Sequence, residues 1–342
     1  MSAVKRFRRG LVVGKFAPLH RGHEYVIRRA VAECDEVVVI SYSKPEIPGC
    51  EPEKRAQWLA ELFPATRRLV LADTAIALPD NAADDTTHRR FVGRVCVDEL
   101  GVTVDAVFTS EAYGDGFARE LTAYFRTNGL PHAPAVTHVR VDPDRATVPI
   151  SGTAIRSDVH AHRGWLDPAV YASFVERVCF LGGESSGKST LAAALAAELG
   201  TTHVPEFARE LWDARRGVLV FDDLRTIAIE QVQREDAAAR RAVRKVFCDT
   251  SALTTRLYSL EMFGRVDPEV ERLAARRYDH VFLCAPDFAF VQDGTRRDAA
   301  FRQRQHAWYE AELARRGMRY QTLGGSLVDR MEQVKAALGV TG

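Results

Sequence analysis

Short runs of β-branched and aliphatic residues alternate along the chain with longer stretches whose apolar positions recur at three and four residues. In the first half the short runs are 11–13, 37–41, 68–71, 106–109 and 136–141, and residues 25–33, 53–62, 88–100 and 116–126 carry helical spacing between them. A parallel strand can be reached only by a crossover, so this alternation predicts βαβ units around a parallel sheet. The alternation then restarts, with strand-like runs at 178–181, 246–248, 280–284 and 320–323. The fold class expected is therefore α/β with two parallel-sheet domains. The segment 158–168, which holds Gly164 and ends on Pro168, is the expected junction, giving domains 1–168 and 169–342.

Charge and cysteine usage narrow the setting. Lys plus Arg number 47 against 46 Asp plus Glu, so the molecule as a whole offers no field for a polyanion, and no nucleic-acid partner is expected. No apolar run approaches the roughly 18 residues of a membrane span, so no membrane partner is expected either. The basic start, with Lys5, Arg6, Arg8 and Arg9, is followed by no apolar stretch of signal-peptide length and reads as a solvated tail. The six cysteines form no C-x-x-C pair and read as reduced thiols, for which the cytoplasm is the expected location. A homo-oligomer is compatible with all of this.

Two clusters carry chemistry. Gly14-Lys15-Phe16-Ala17-Pro18-Leu19-His20-Arg21-Gly22-His23 follows a strand-like run and opens a helix, where backbone N–H groups and the helix dipole favour a bound phosphate. His20 and His23, three apart, can both point at one site and donate to phosphate oxygens. Far downstream, Ile150-Ser151-Gly152-Thr153-Ala154-Ile155-Arg156-Ser157 offers hydroxyls and a guanidinium able to clamp a leaving pyrophosphate. A phosphate nucleophile already carries negative charge, so such a site needs positioning and charge neutralisation rather than a strong base.

The second cluster, Gly182-Gly183-Glu184-Ser185-Ser186-Gly187-Lys188-Ser189-Thr190, fits G-x-x-x-x-G-K-[ST] between a strand and a helix. Its backbone N–H groups would cradle the β-phosphate of ATP, Lys188 would neutralise the β and γ oxygens, and Ser189 would ligate Mg²⁺. Asp249, at the end of an apolar run, could coordinate Mg²⁺, take a substrate proton or cap the helix that follows. Glu206 and Arg209 follow the second strand of this half, where a nucleoside ribose could be gripped. Asp293-Gly294-Thr295-Arg296-Arg297, with Arg302, could form an arginine lid over the transferred phosphoryl group.

The first pair of motifs resembles the HxGH and ISxTxxR signatures of nucleotidyltransferases, which implies a Rossmann-like first domain ahead of a P-loop kinase. Over nearly the whole chain the sequence further resembles the NadR-type bifunctional nicotinamide-mononucleotide adenylyltransferase and ribosylnicotinamide kinase family. The resemblance rests on residues 41–46, 52–59 and 109–114, and on the order of the second-half motifs. It implies that Gly14, Lys15, Phe16, Ser151, Thr153 and Arg156 meet ATP. It implies that Tyr42, Arg55, Trp58, Ser110, Glu111 and Tyr113 shape the mononucleotide pocket, and that Glu206, Arg209 and Tyr258 bind the riboside. The implied small-molecule partners are ATP, nicotinamide mononucleotide, nicotinamide riboside and the NAD product. Ser251 departs from the family, which carries a second acid there. Some members also carry an N-terminal DNA-binding helix-turn-helix domain, for which roughly ten residues ahead of the first strand leave no room. Two other readings stay open: a coenzyme A pathway fusion, joining pantetheine-phosphate adenylyltransferase to dephospho-coenzyme A kinase, and a sensor that binds ATP and NAD without turnover.

Overall fold

The computed structural model describes residues 4–340 apart from 75–76, 112, 129–131 and 292–296. The chain divides into two units, Met1–Ser173 and Phe174–Gly342.

In the first unit, β1 (Phe7–Gly14) leads to α1 (Arg21–Glu33), β2 (Cys34–Ser41), α2 (Pro52–Leu62) and β3 (Arg67–Val70). After α3 (Asp85–Arg94) come β4 (Ala106–Thr109), α4 (Gly114–Thr127), β5 (Thr137–Arg140), α5 (Gly152–Ser157) and α6 (Pro168–Tyr171). The strands pair in parallel in the order β3-β2-β1-β4-β5. Direction along the sheet therefore reverses at β1, and the crevice beyond the carboxyl ends of β1 and β4 is where an open α/β sheet takes its ligand. Leu11, Val38, Ile40 and Val107 of the strands pack with Phe91, Leu121 and Phe125 of the helices, all buried. The helix expected over 88–100 begins instead at Asp85, because Asp84 caps it by accepting from Thr87 N (3.0 Å), and it loosens into a π-type turn over Val95–Glu99.

The second unit repeats the layered plan with another strand order. Its elements are β6 (Glu176–Leu181), α7 (Lys188–Glu198), β7 (Thr202–Val204), α8 (Phe207–Ala214), α9 (Phe221–Ala239), β8 (Lys245–Asp249) and α10 (Ala252–Phe263). They continue with α11 (Pro268–Leu273), β9 (His280–Cys284), α12 (Ala299–Arg315), β10 (Gln321–Leu323) and α13 (Leu327–Ala337). All five strands are parallel in the order β10-β9-β6-β8-β7. Phe180, Phe247 and Phe282 of the three central strands stack with centroids 5.7 to 6.0 Å apart and fill one face of the sheet. The loop after β6 again opens at the reversal point. The cap on α10 falls to Ser251, whose Oγ accepts from Leu253 N (3.3 Å), and not to Asp249.

Candidate active sites

A cavity of about 650 Å³ opens at the carboxyl ends of β1 and β4. His20 is the N-cap of α1: its Nδ1 accepts from Gly22 N (3.1 Å), and His20 N in turn donates to His23 Nδ1 (3.4 Å). The H-x-G-H string is thus a helix cap made of imidazoles, with the two rings stacked at 3.7 Å. Glycine suits the position between them, because a Cβ at Gly22 would lie 3.0 Å from His20 Cε1 and the ring would have to give way. With Nδ1 accepting, the hydrogen of neutral His20 sits on Nε2, on the ring edge nearest the start of α5. His23 Nδ1 likewise accepts, so the hydrogen of its neutral ring also sits on Nε2, with the Pro18 backbone as a neighbour.

Burial, helped by the cations of Arg145 and Arg156, pushes the His20 pKa down to about 4. His23 is pushed well below the usual histidine value by burial and by its neighbour His20. Burial, with Arg156 close by, also lowers Lys15. Arg156 reaches back from α5, with Nη1 donating to Ala17 O (2.6 Å) and Nη2 to Thr153 Oγ1 (3.1 Å). Ser151 Oγ caps α5 by accepting from Ala154 N (3.1 Å). The two motifs, more than a hundred residues apart in sequence, thereby become one wall. Phe16 holds the turn at φ 46°, a left-handed conformation that a bulky side chain seldom adopts.

Gly14, Lys15, Phe16, His20, His23, Tyr42, Ser110, Glu111, Tyr113, Ser151, Thr153 and Arg156 all line this cavity. Arg55 and Trp58 do not. Trp58 is buried and its Nε1 donates to Ser173 Oγ (2.8 Å). Arg55 is buried behind the loop, donating to Ser41 Oγ (2.9 Å), Glu46 Oε2 (2.7 Å) and Lys15 O (3.4 Å). Both are polar side chains on the inner face of α2, so they brace the wall rather than form it. The sequence reading missed His88, whose Nδ1 lies 3.0 Å from Tyr42 OH, and Arg145, which faces Glu111. Neither belongs to a contiguous motif; a second basic residue with positive φ, 11 positions before Arg156, is visible only in the folded chain.

The second cavity, about 280 Å³, lies over the loop between β6 and α7. Lys188 Nζ donates to Gly182 O (2.9 Å) and Gly183 O (3.0 Å), and Ser186 Oγ to Gly183 O (2.7 Å). Gly182 has φ 145°, and a Cβ there would meet Cys284 O at 2.8 Å. Ser185 (φ 55°) and Thr250 (φ 78°) hold left-handed conformations beside it, the second of them β-branched, so strain is concentrated at this loop. Buried Arg330, absent from the sequence reading, braces the loop from below by donating to Ser186 O (2.8 Å), Ala285 O (3.0 Å) and Gly325 O (3.0 Å) while pairing with Asp287.

Gly182, Glu184, Ser185, Ser186, Gly187, Lys188, Ser189, Thr190, Glu206, Arg209, Tyr258 and Arg297 line the cavity. Gly183 and Arg302 do not; Arg302 Nη1 donates to Ser185 O (3.3 Å) from behind the loop. Glu184 is tied on both oxygens, to Tyr258 OH (2.8 Å) and Arg297 N (2.8 Å). Burial and the nearby carboxylate of Asp249 raise the pKa of Glu206, against the pull of Lys188. Asp249 is buried below the wall, and its Oδ1 has no hydrogen-bond partner. Arg296, with Asp293, Gly294 and Thr295, lies outside the described residues.

A mononucleotide-type sheet with paired imidazoles at its first helix, followed by a P-loop sheet, defines a nucleotidyltransferase-type unit joined to a P-loop unit. Residues 11–158 match the cytidylyltransferase-like family and residues 177–330 the AAA domain family. The trifunctional NAD biosynthesis/regulator protein NadR of Escherichia coli (strain K12) is 30% identical over 312 residues, which cover 84% of this chain and 71% of that protein. The chain belongs to the NadR family. Crystal structures of NadR protein, one with NAD and AMP-PNP and one with NR, are each 21% identical to this chain and share its fold at TM-scores of 0.68 and 0.67. Each covers all of this chain, which in turn spans 99% and 98% of theirs. Among the described residues no helix is long and apolar enough to cross a membrane.

Proposed function

We propose that the first unit joins nicotinamide mononucleotide to the AMP part of ATP, and that the second phosphorylates nicotinamide riboside to that mononucleotide. The observation that carries this reading is the pairing of two chemically different phosphate cavities in one chain of the NadR family.

In the first unit a phosphate oxygen of the mononucleotide attacks the α-phosphorus of ATP. The bond to the bridging oxygen breaks, and pyrophosphate leaves with the electron pair. No proton has to be removed. Lys15 and Arg156 offset charge on the triphosphate, and Ser151 and Thr153 orient the leaving group. His20 donates through Nε2 to an oxygen that gains charge in the transition state. Neutral imidazoles suit this role, since they donate hydrogen bonds without titrating near pH 7.

In the second unit the riboside hydroxyl attacks the γ-phosphorus and ADP leaves. Glu206, on the wall and with raised proton affinity, accepts the hydroxyl proton, while Lys188 neutralises the transferred group. The unpartnered Asp249 oxygen and the Ser189 hydroxyl fit a Mg²⁺ site, and the ion, when bound, offsets charge on the β and γ oxygens. Arg209 and Tyr258 hold the riboside, and Arg297, on the cavity wall, shields the phosphoryl group, while Arg302 steadies the loop from behind. The six cysteines are free and buried, in keeping with a cytoplasmic enzyme.

Separate assays test the two halves. With ATP and Mg²⁺, nicotinamide mononucleotide should yield NAD and pyrophosphate, and nicotinamide riboside should yield the mononucleotide and ADP. Pyrophosphate release with pantetheine phosphate in place of the mononucleotide, or tight ATP binding with no turnover of any acceptor, would overturn the reading.

A further inference from the structure

The second cavity has a polar end, formed by the loop before α7, and an apolar end formed by Trp212, Leu219, Leu224, Ile227 and Met262. Among these apolar residues the wall also includes Gln231 of α9, which is 1% exposed. Its orientation is fixed by chemistry. Oε1 accepts from Phe207 N (3.0 Å), one of the N–H groups that the start of α8 leaves without an intrahelical acceptor. An N–H can meet only the oxygen of the amide, so the NH₂ group must occupy the other arm, and there Nε2 has no partner. A buried donor left unpaired is costly to keep, and on a cavity wall a ligand acceptor can satisfy it.

We propose that Gln231 is a specificity-determining residue of the kinase cavity, reading a carbonyl or carboxylate oxygen on the aromatic ring of the nucleoside. The inference rests on the kinase reading of the second unit and adds to it the chemistry of the ring substituent. Trp212, Leu224 and Ile227 cover the flat faces of the ring, and the phosphate-binding loop holds the other end of the ternary complex. Because Gln231 presents a donor and keeps its acceptor on Phe207 N, the site accepts nicotinamide riboside through its amide oxygen. It accepts nicotinic acid riboside equally through its carboxylate. A riboside ring with no oxygen substituent loses this bond.

The test compares kcat and KM of the full chain, its Gln231→Leu variant and its Gln231→Glu variant on both ribosides. Leu removes the donor and should raise KM for both about tenfold to a hundredfold while changing kcat little. Glu keeps an oxygen for Phe207 N but turns an acceptor toward the ring. A carboxamide can rotate to offer its NH₂ to that acceptor, whereas a carboxylate cannot. Gln231→Glu should therefore weaken nicotinamide riboside about threefold to tenfold and nicotinic acid riboside by at least about a hundredfold. That selective split supports the inference, since loss of the α8 contact alone would affect both substrates alike. Equal losses on both ribosides, or wild-type KM values in Gln231→Leu, would overturn it while leaving the kinase reading intact. If the unsubstituted chain phosphorylated neither riboside, the kinase reading itself would fall.

Discussion

The two cavities present the same cosubstrate with different electrostatics. Around the first, the side chains at the phosphate end are cations or imidazoles held neutral, and His20 keeps its pKa near 4 because burial and two arginines oppose its protonation. Around the second, a lysine shares the wall with Glu206, and a second carboxylate, Asp249, lies just beneath. The difference follows the nucleophile. A phosphate attacks already ionised, so the first site has nothing to deprotonate; a hydroxyl does not, so the second keeps a carboxylate of raised proton affinity at hand. Strain is common to both: Phe16, Asp142 and Arg145 are left-handed at the first cavity, and Ser185 and Thr250 at the second, whose loop Arg330 braces from below.

The sharpest way to break this contrast is to remove the lysine. Lys188→Ala should lower riboside phosphorylation by roughly a thousandfold and leave NAD formation from the mononucleotide unchanged, as steady-state assays of each half would show. Arg330→Met strips four partners at once and should destabilise the second unit by about 3 kcal/mol. Urea denaturation followed through kinase activity would report it, with adenylyl transfer lost only at its original midpoint. His20→Ala should cost the adenylyl transfer roughly a hundredfold with kinase activity intact. The pH dependence sharpens the same point. The native His20 ring stays neutral down to about pH 4, so the fall of the adenylyl transfer rate between pH 8 and pH 5 should follow the second ionisation of the mononucleotide phosphate, at about pH 6, with no added step from His20 until pH approaches 4. In the unfolded chain this imidazole takes up a proton near its ordinary value of 6.5, before the native one does. Protons thus bind the unfolded state first, and the first unit should lose stability as pH drops from 6.5 towards 4, with nothing from this group above 6.5. The smallest effect is expected at Trp58. Replacing it by Phe loses the bond to Ser173, about 1 kcal/mol of stability, without altering KM for the mononucleotide.

What could be read from the sequence was what lies contiguous in it. The H-x-G-H string works through its own helix cap and the P-loop through its own backbone, so residue order alone exposes them. The alternation of runs gave both parallel sheets because a strand buried on two faces is uniformly apolar. The braces and readers were hidden for the opposite reason. Arg330 serves a loop 144 positions earlier, and Gln231 acts through Phe207, 24 positions away, so neither carries a local signal. Arg55 and Trp58 looked like pocket residues because polar and aromatic side chains are typical of pockets. Only packing shows that α2 turns them inward. The extra turn over Val95–Glu99 was equally hidden, since a π-type turn shifts register by one residue without changing composition.

Complementation measures the independence of the two phosphate sites. Neither Lys188→Ala nor His20→Ala should make NAD from nicotinamide riboside at an appreciable rate, while an equimolar mixture of the two should do so after a lag, as the mononucleotide made by one variant is consumed by the other. NAD production from the riboside by Lys188→Ala alone, or a mixture as inactive as its components, would contradict the assignment.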